Sequence, residues 1–238
     1  MSLGEIFTVV LTVLFGATLQ GSVGFGMGLL ASPILILIDP RFVPGPILLS
    51  TTVLTVLLVC RERSAIDFHG IQWAMVGRLI GTLLASAILI VVSADQLVLL
   101  IGVFILSGVG MSLSGLRFDP IRPVLVSAGM LSGLLGTIAS VGGPPMALVY
   151  QHAAGARIRG TMSGFFLLGT VLSLGALWYV GRFGVYEIQL TLVMLPSVLT
   201  GFVLSKWTAV YVDRGYVRPA VLSVAAAAGL LVIIRQFV

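Results

Sequence analysis

Charged residues divide the chain into eight long apolar runs, a pattern that predicts membrane-spanning helices. A single helix needs about 20 apolar residues to cross a bilayer. Six runs are close to that length: residues 42–60, 68–92, 96–116, 160–181, 188–205 and 219–234. The remaining two, residues 6–38 and 123–156, are too long for one helix and short for two full crossings with a turn.

The two longest runs share a glycine-rich centre followed by proline. In the first, Gly21, Gly24, Gly26 and Gly28 lie within eight residues, and the second contains GGPP at 142–145. Glycine weakens a helix by roughly 1 kcal/mol per residue relative to alanine, and unwound backbone persists in a membrane only where protein or a watery cavity covers it. Each run therefore predicts two half-length helices that meet inside the membrane. Their expected bounds are residues 3–19 and 27–38, then 123–136 and 144–151.

The two glycine-rich runs also align with each other, which predicts an internal repeat. An offset of 112 positions pairs Gly21, Gly24 and Pro33 with Gly133, Gly136 and Pro145. Further along, GTLLAS at 81–86 matches GFVLSK at 201–206 at an offset of 120 positions. The predicted fold is an all-α polytopic membrane protein of eight to ten helical segments. Each repeat, residues 1–116 and residues 120–238, contains one broken-helix hairpin followed by three transmembrane helices.

Lysine and arginine positions distinguish hairpins from simple crossings, because the side with more cations in its short loops faces the cytoplasm. If each long run enters and leaves on one side, nine cations share one face and three share the other. If each long run crosses once, the split is six and six. The nine are Arg61, Arg63, Arg117, Arg122, Arg157, Arg159, Lys206, Arg214 and Arg218.

The uneven split favours hairpins, and it predicts that both termini lie outside the cytoplasm. Each half then has an odd number of full crossings, so that the two repeats are inverted with respect to each other. Inverted repeats with broken helices are a recurrent plan of secondary transporters. Ten short crossings give the same parity, so the charge pattern leaves re-entrant hairpins and ten crossings both open.

The composition agrees with a polytopic membrane protein. Of 238 residues 58% are hydrophobic and 9% are charged, whereas soluble domains average about 25% charged residues. The net charge of +5 comes without a basic cluster among aromatics, so no nucleic-acid partner is expected. The single cysteine, the two distant histidines and the missing P-loop predict no metal site, no cofactor and no ATPase activity.

The predicted broken helices create a candidate anion site. The first N–H groups of a helix have no intrahelical partner, and the helix dipole places a partial positive charge there. Two such N-termini facing one another across a pseudo-two-fold axis would cradle an anion. The predicted substrate-binding set is Gln20, Ser22, Gly24, Phe25, Gly26, Arg78, Thr137, Ser140, Gly142, Gly143 and Pro144. The alternative is that the glycines only permit close helix packing.

Arg78 is the one charge inside an apolar run, where it costs at least a few kcal/mol. It therefore needs a partner, and the candidates are an anionic substrate, backbone carbonyls or a carboxylate. Since no Asp or Glu lies in mid-run, a proton relay through carboxylates is not supported. His152 remains a candidate for proton coupling, with an interfacial cap as its alternative.

Two segments resemble the sulfite exporter TauE/SafE family of membrane permeases. They are GATLQGSVGFGMGLLASPILIL at 16–37 and SGLLGTIASVGGPPMALVY at 132–150. The resemblance implies a secondary transporter in the bacterial cytoplasmic membrane that exports small sulfur-containing anions, such as sulfite or sulfonates. Where members of the family often have a further glycine, this chain has Met27 and the pair Ser140 and Val141.

Three groups of other functions remain as alternatives. The same broken helices would serve an anion channel, or a carrier of a small carboxylate or inorganic anion. An intramembrane enzyme is disfavoured, because no nucleophile–base pair is visible. A non-transporting subunit is the third alternative, since GxxxG spacings at 77–81, 129–133 and 160–164 permit helix contacts, either within one bundle or with a second copy in a homodimer.

Overall fold

The computed structural model describes residues 2–153, 155–212 and 217–236, and ten α-helices account for most of them. The helices are α1 Leu3–Val23, α2 Met27–Ile38, α3 Gly45–Glu62, α4 Phe68–Val91, α5 Ala94–Leu113, α6 Arg122–Ala139, α7 Gly143–Tyr150, α8 Gly155–Tyr179, α9 Val185–Val212 and α10 Val217–Ile234. Within the described residues, seven helical stretches are long and apolar enough to cross a membrane. The predicted all-α polytopic fold is confirmed. Arg214, counted above among the cations, lies outside the described residues.

Each long run forms a hairpin of two helices joined by a three-residue link, as predicted. Gly24 ends α1 with a φ of 100°, and Ser140 ends α6 with a φ of 60°. Both residues therefore have the left-handed backbone conformation. At 1.5 Å per residue, α1 and α6 are about 32 and 27 Å long, whereas α2 and α7 are about 18 and 12 Å. The expectation of two half-length arms therefore holds only for the second arm of each hairpin. The first arms continue three or four residues beyond their expected ends, to Val23 and Ala139.

The turns of the two hairpins lie 116 positions apart, whereas the sequence alignment uses an offset of 112. The two left-handed residues, Gly24 and Ser140, are 116 positions apart, and so are the first residues of α2 and α7. Gly136, which the sequence alignment paired with Gly24, lies inside α6.

Two helix pairs pack closely through glycine: α1 on α9, and α6 on α4. A Cβ on Gly201 of α9 would lie 2.9 Å from the carbonyl oxygen of Leu14. A Cβ on Gly81 of α4 would overlap the carbonyl oxygen of Met130. Leu14 and Met130 are again 116 positions apart, so each hairpin packs in the same way on the second of the three long helices that follow the other hairpin. Between them, α3 packs on α8 and α5 on α10.

The GxxxG spacings on α4 and α6 are used within the chain. Gly77 and Gly81 of α4 face the backbone of α6, and Gly129 and Gly133 of α6 face the backbone of α4. Added Cβ atoms at these four positions would overlap or crowd the opposite backbone. These glycines therefore serve packing inside one bundle.

One end of the bundle, termed here the Arg61 end, is held by ion pairs. Nε of Arg61 and Nε of Arg159 lie 3.2 and 3.1 Å from the same Glu62 oxygen, and Arg157 lies 3.3 Å from Asp67. Because Arg61 and Arg159 share one carboxylate, they lie at the same end, as hairpins require. Eight simple crossings would place them at opposite ends.

The opposite end, termed the Arg41 end, lies beyond the C-terminus of α4. The Arg41 guanidinium contacts both carboxylate oxygens of Asp39, at 3.0 and 2.8 Å. This hydrogen bond holds the pKa of the Asp39 carboxyl below its usual range, although partial burial acts in the other direction. Arg182 donates to the carbonyl oxygens of Val92, at 2.7 Å, and Leu89, at 3.4 Å, and so caps α4.

Candidate functional site

A small cavity lies where the two hairpin links meet. Its volume is about 30 Å³, which is room for one or two water molecules. Seven helices or their links contribute to its wall. The lining residues are Gln20, Phe25, Gly26, Gly28, Leu29, Leu48, Thr51, Arg78, Gly136, Ser140, Gly142, Gly143, Phe166 and Thr170.

The tips of the two hairpins touch each other beside this cavity. A Cβ on Gly28, in the first turn of α2, would overlap the carbonyl oxygen of Ser140. A Cβ on Gly143, the first residue of α7, would lie 2.7 Å from the ring of Phe25. Glycine at these two positions allows the starts of α2 and α7 to approach the opposite link closely.

Gln20 presents an unpaired donor in the cavity wall. Its Oε1 accepts the backbone N–H of Met27 at 3.2 Å and so caps the start of α2. Its Nε2 is buried and has no hydrogen-bond partner among the described residues. A buried donor without a partner costs about 1–3 kcal/mol. A ligand that accepts a hydrogen bond from Nε2 would recover that free energy.

Arg78 is fully buried, with 1% of its surface exposed. Nη1 donates to the carbonyl oxygen of Ser132 at 2.9 Å and to the Ser132 hydroxyl at 2.8 Å. Nη2 donates to the Ser173 hydroxyl at 3.2 Å, and the guanidinium carbon lies 5.5 Å from the centre of the Phe165 ring. Nε has no partner in the described part of the chain.

The charge of Arg78 is not neutralised by a carboxylate. None of the ion pairs between described residues includes it. Hydroxyls, a carbonyl and an aromatic face reduce the cost of burying a guanidinium, but they leave its net charge of one in place. The partial positive charges at the starts of α2 and α7 add to that charge. The electrostatics of the cavity therefore favour an anion.

The backbone donors at the two helix starts are fewer than the sequence suggested. Pro144 and Pro145 have no N–H groups, so the first turn of α7 offers mainly the N–H of Gly143. At the start of α2 the Met27 N–H is already taken by Gln20, which leaves the next two N–H groups. Side-chain donors must therefore supply a large part of any anion site here.

Seven of the eleven predicted residues lie in the wall of this cavity. The structure brings together Gln20, Phe25, Gly26, Arg78, Ser140, Gly142 and Gly143. These residues come from both hairpins and from α4.

The predicted residues Ser22 and Gly24 face away from the cavity. The Ser22 hydroxyl donates to the Thr18 carbonyl and lies 2.8 Å from the Thr208 hydroxyl of α9. Gly24 packs against the backbone of Arg159, at the start of α8. Both placements follow from the length of α1: because the helix continues to Val23, Ser22 lies on the buried face that packs on α9 and not in an unwound link.

The predicted residues Thr137 and Pro144 lie one layer behind the cavity. The Thr137 hydroxyl is 2.8 Å from that of Ser173, which in turn accepts from Arg78. Pro144 packs against α5, 3.4 Å from the position of a Cβ on Gly108. Thr137 therefore reaches Arg78 only through Ser173.

Sequence reasoning missed the contributions of α3 and α8. Thr51 and Thr170 bring hydroxyls to the wall, and Leu48 and Phe166 bring apolar surface. A threonine in the middle of an apolar run was the signal available for the first two. Ser132, which holds Arg78, carried no signal beyond its position beside Gly133.

No resident metal is supported by the described residues, which contain no group of three His, Cys, Asp or Glu side chains able to hold one. His152 is exposed in the turn after α7 and does not line the cavity.

Comparison with protein families identifies one match that covers nearly the whole chain. The family described as "Sulfite exporter TauE/SafE" matches residues 9–232, which include both hairpins. Comparison with curated proteins and with solved structures returns no match.

Proposed function

The chain belongs to the sulfite exporter TauE/SafE family of membrane permeases, and on that premise we propose that it exports sulfonates or sulfite by alternating access. The substrate anion binds in the cavity between the two hairpin links. The observation that carries this proposal is Arg78, a buried guanidinium in the cavity wall without a carboxylate partner among the described residues.

The donors around the cavity suit an oxyanion with several oxygens. Arg78 supplies a charge-assisted donor, the Gln20 Nε2 supplies an unpaired one, and the Gly143 N–H lies at the start of a helix. Thr137, which lies behind the wall, acts indirectly, because its hydroxyl contacts the Ser173 hydroxyl that accepts from Arg78. Ser22, Gly24 and Pro144 shape the links rather than contact the substrate.

The remainder of the wall favours an organic sulfonate over an inorganic oxyanion. Phe25, Leu29, Leu48 and Phe166 line the same small cavity as Arg78. A sulfonate combines a charged group with an apolar substituent, so it matches both kinds of surface. Sulfite matches only the polar part.

The repeated packing supports two inverted repeats, residues 1–116 and 120–238. The α1–α9 and α4–α6 crossings use equivalent positions, 116 apart on the hairpins and 120 apart at Gly81 and Gly201. We assign the Arg61 end to the cytoplasm of a bacterial inner membrane, because cations concentrate on the cytoplasmic side. Both termini then lie outside, and an inside-negative potential favours efflux of the anion.

The small size of the cavity supports a carrier over a channel. Both hairpin tips close on a volume of about 30 Å³, so an organic anion enters only if a tip moves. A carrier of this kind gives saturable flux and counterflow.

The test is counterflow in proteoliposomes that contain the purified protein. Vesicles are loaded with unlabelled ethanesulfonate, sulfite, thiosulfate or propionate, and uptake of radiolabelled ethanesulfonate is measured against concentration. We expect saturable uptake that is stimulated by ethanesulfonate inside, less by sulfite, and lost in the Arg78→Gln variant. Unsaturable flux would instead indicate a channel, and movement of a neutral solute but of no anion would overturn the proposal.

A further inference from the structure

The two hairpin tips contact opposite ends of the bundle, and we propose that they are the two gates of the carrier. The tip around Gly24 closes the path from the cavity to the Arg61 end. The tip at Ser140 closes the path to the Arg41 end. This inference rests on the proposed alternating-access function and assigns residues to its moving parts.

The first tip is clasped by charged side chains of α3 and α8. Nη2 of Arg61 donates to the carbonyl oxygen of Gly21 at 2.6 Å, in the last turn of α1. Arg61 and Arg159 both donate to Glu62, at 3.2 and 3.1 Å. At the end of α1, a Cβ on Gly24 would lie 3.0 Å from the Cα of Arg159. The tip, α3 and α8 are therefore joined through one cluster.

This clasp is stronger than a surface ion pair. The side chains of Arg61, Glu62 and Arg159 are 19%, 14% and 15% exposed, so water screens them only partly. The Arg61 charge also lies at the C-terminal carbonyls of α1, where a cation is favoured by the helix dipole. Closure at the Arg61 end is therefore firm in this conformation.

The second tip is held by hydrogen bonds between neutral groups. The Ser32 hydroxyl of α2 donates to the carbonyl oxygen of Ala139, the last residue of α6, at 2.7 Å. The Ser140 hydroxyl donates to the carbonyl oxygen of Pro44, at 3.1 Å, just before α3. Pro44 also lines a second cavity of about 360 Å³ at the Arg41 end. The contact between Ser140 and Pro44 thus separates the central cavity from a larger one that lies at the bundle end.

The two tips make corresponding contacts. Gly24 and Ser140 are both left-handed residues that end the first arm of a hairpin, 116 positions apart. One meets the start of α8 and the other meets the start of α3, and α3 and α8 pack on each other through the hydroxyls of Thr52 and Thr170, 2.8 Å apart. A carrier needs one gate at each side of its site, and this pair provides them at opposite ends.

The two gates differ in the kind of contact that holds them closed. Among the described residues, the tip at the Arg61 end is held by a cluster of charged side chains, whereas the tip at Ser140 is held by hydrogen bonds between neutral groups. The alternative that the experiment must exclude is that the Arg61 cluster only fixes the ends of helices. A static cluster would affect stability without changing access to the cavity from one side.

Side-specific labelling of a cysteine in the cavity wall tests the gates. The chain has one cysteine, the exposed Cys60, so Cys60→Ala gives a cysteine-free background. Thr51→Cys then places a reporter in the wall, and Thr170→Cys is a second reporter for use where the first does not fold. The probe is sulfonatoethyl methanethiosulfonate, a membrane-impermeant anion, added to right-side-out or inside-out vesicles.

In the reporter background, Arg159→Gln removes one partner of Glu62, and Ser140→Ala removes the bond to Pro44. We expect Arg159→Gln to accelerate labelling about tenfold from the cytoplasmic side only, because it removes a hydrogen bond between charged, largely buried side chains. We expect Ser140→Ala to accelerate it from the outer side only. The matched control is Arg157→Gln, which removes the same charge two residues earlier on α8 but leaves the Glu62 pairs intact.

The gates are overturned if Arg159→Gln behaves like Arg157→Gln, or if either variant accelerates labelling equally from both sides. If the two sides are exchanged for both variants, the gates stand and the proposed orientation is wrong. Labelling requires no transported substrate. Side-specific labelling without anion counterflow would therefore support the gates and contradict the proposed substrate. Anion counterflow without side-specific labelling would support the substrate and contradict the gates.

Discussion

Arg78 of α4 and Ser132 of α6 make a two-point contact across the crossing of these two helices. Nη1 lies 2.9 Å from the Ser132 carbonyl oxygen and 2.8 Å from its hydroxyl. The hydroxyl proton is donated to the carbonyl oxygen of Gly142 at 2.6 Å, so the hydroxyl lone pairs face the guanidinium. Ser132 therefore holds the buried charge next to the start of α7.

Replacing Arg78 tests whether its charge is what retains the anion. Arg78→Gln should weaken ethanesulfonate binding about 10- to 100-fold, because a hydrogen bond to a charged group contributes about 1.5–3 kcal/mol. Arg78→Lys should recover part of the affinity, since it keeps the charge but loses the planar fork. Calorimetric titration of the purified variants measures this order. Equal affinity in the wild type and in Arg78→Gln would show that the Arg78 charge does not contribute to anion binding.

Replacing Ser132 tests its positioning role. Ser132→Ala leaves the guanidinium free to turn, so KM for ethanesulfonate should rise about tenfold while maximal flux changes little, the result of losing about 1.4 kcal/mol. The matched control is Ser163→Ala on α8, whose hydroxyl is buried but has no partner among the described residues. Concentration-dependent uptake compares the two variants. A parallel change in both would show that Ser132 matters only as a buried serine.

The sequence predicted the hairpins, Arg78 and half of the residues in the cavity wall, because glycine clusters and a lone charge are local signals. It misplaced Ser22, because the end of α1 depends on where the first left-handed residue occurs, which composition does not specify. It missed Thr51 and Thr170, because nothing in single apolar runs shows which face meets another helix. Nor could it show that Gly24 and Ser140 both end the first arm of a hairpin, because they share a backbone conformation and not a residue type.

The contact between the hairpin tips should tolerate no added side chain at Gly28. A Cβ there overlaps the Ser140 carbonyl oxygen, and such overpacking typically costs about 1–3 kcal/mol. Gly28→Ala should therefore lower the melting temperature in detergent and reduce counterflow. The control is Gly175→Ala on α8, where nothing lies within 4 Å of the added Cβ and helix propensity improves. A Gly28→Ala variant as stable and active as the control would mean that the tips do not touch.

The apolar wall should decide between sulfonates and sulfite. Phe166 lines the cavity and is 6% exposed. Phe166→Ala should lower the ratio of kcat/KM for ethanesulfonate to that for sulfite by about tenfold, because apolar pocket contacts discriminate by about 1–3 kcal/mol. Leu168→Ala, on the same helix but 53% exposed, should leave the ratio unchanged. Competition between the two anions for uptake gives the ratio, and an unchanged value in Phe166→Ala would argue against a substituent-binding wall.

The most direct measurement is a crystal structure of the wild-type protein with 2-bromoethanesulfonate, in which anomalous scattering locates the bromine atom. We expect a bromine peak beside Phe25 and Phe166, with sulfonate oxygens within hydrogen-bond distance of the Arg78 guanidinium and the Gln20 Nε2. A bromine peak confined to the larger cavity at the Arg41 end, with none between the hairpin links, would contradict this expectation.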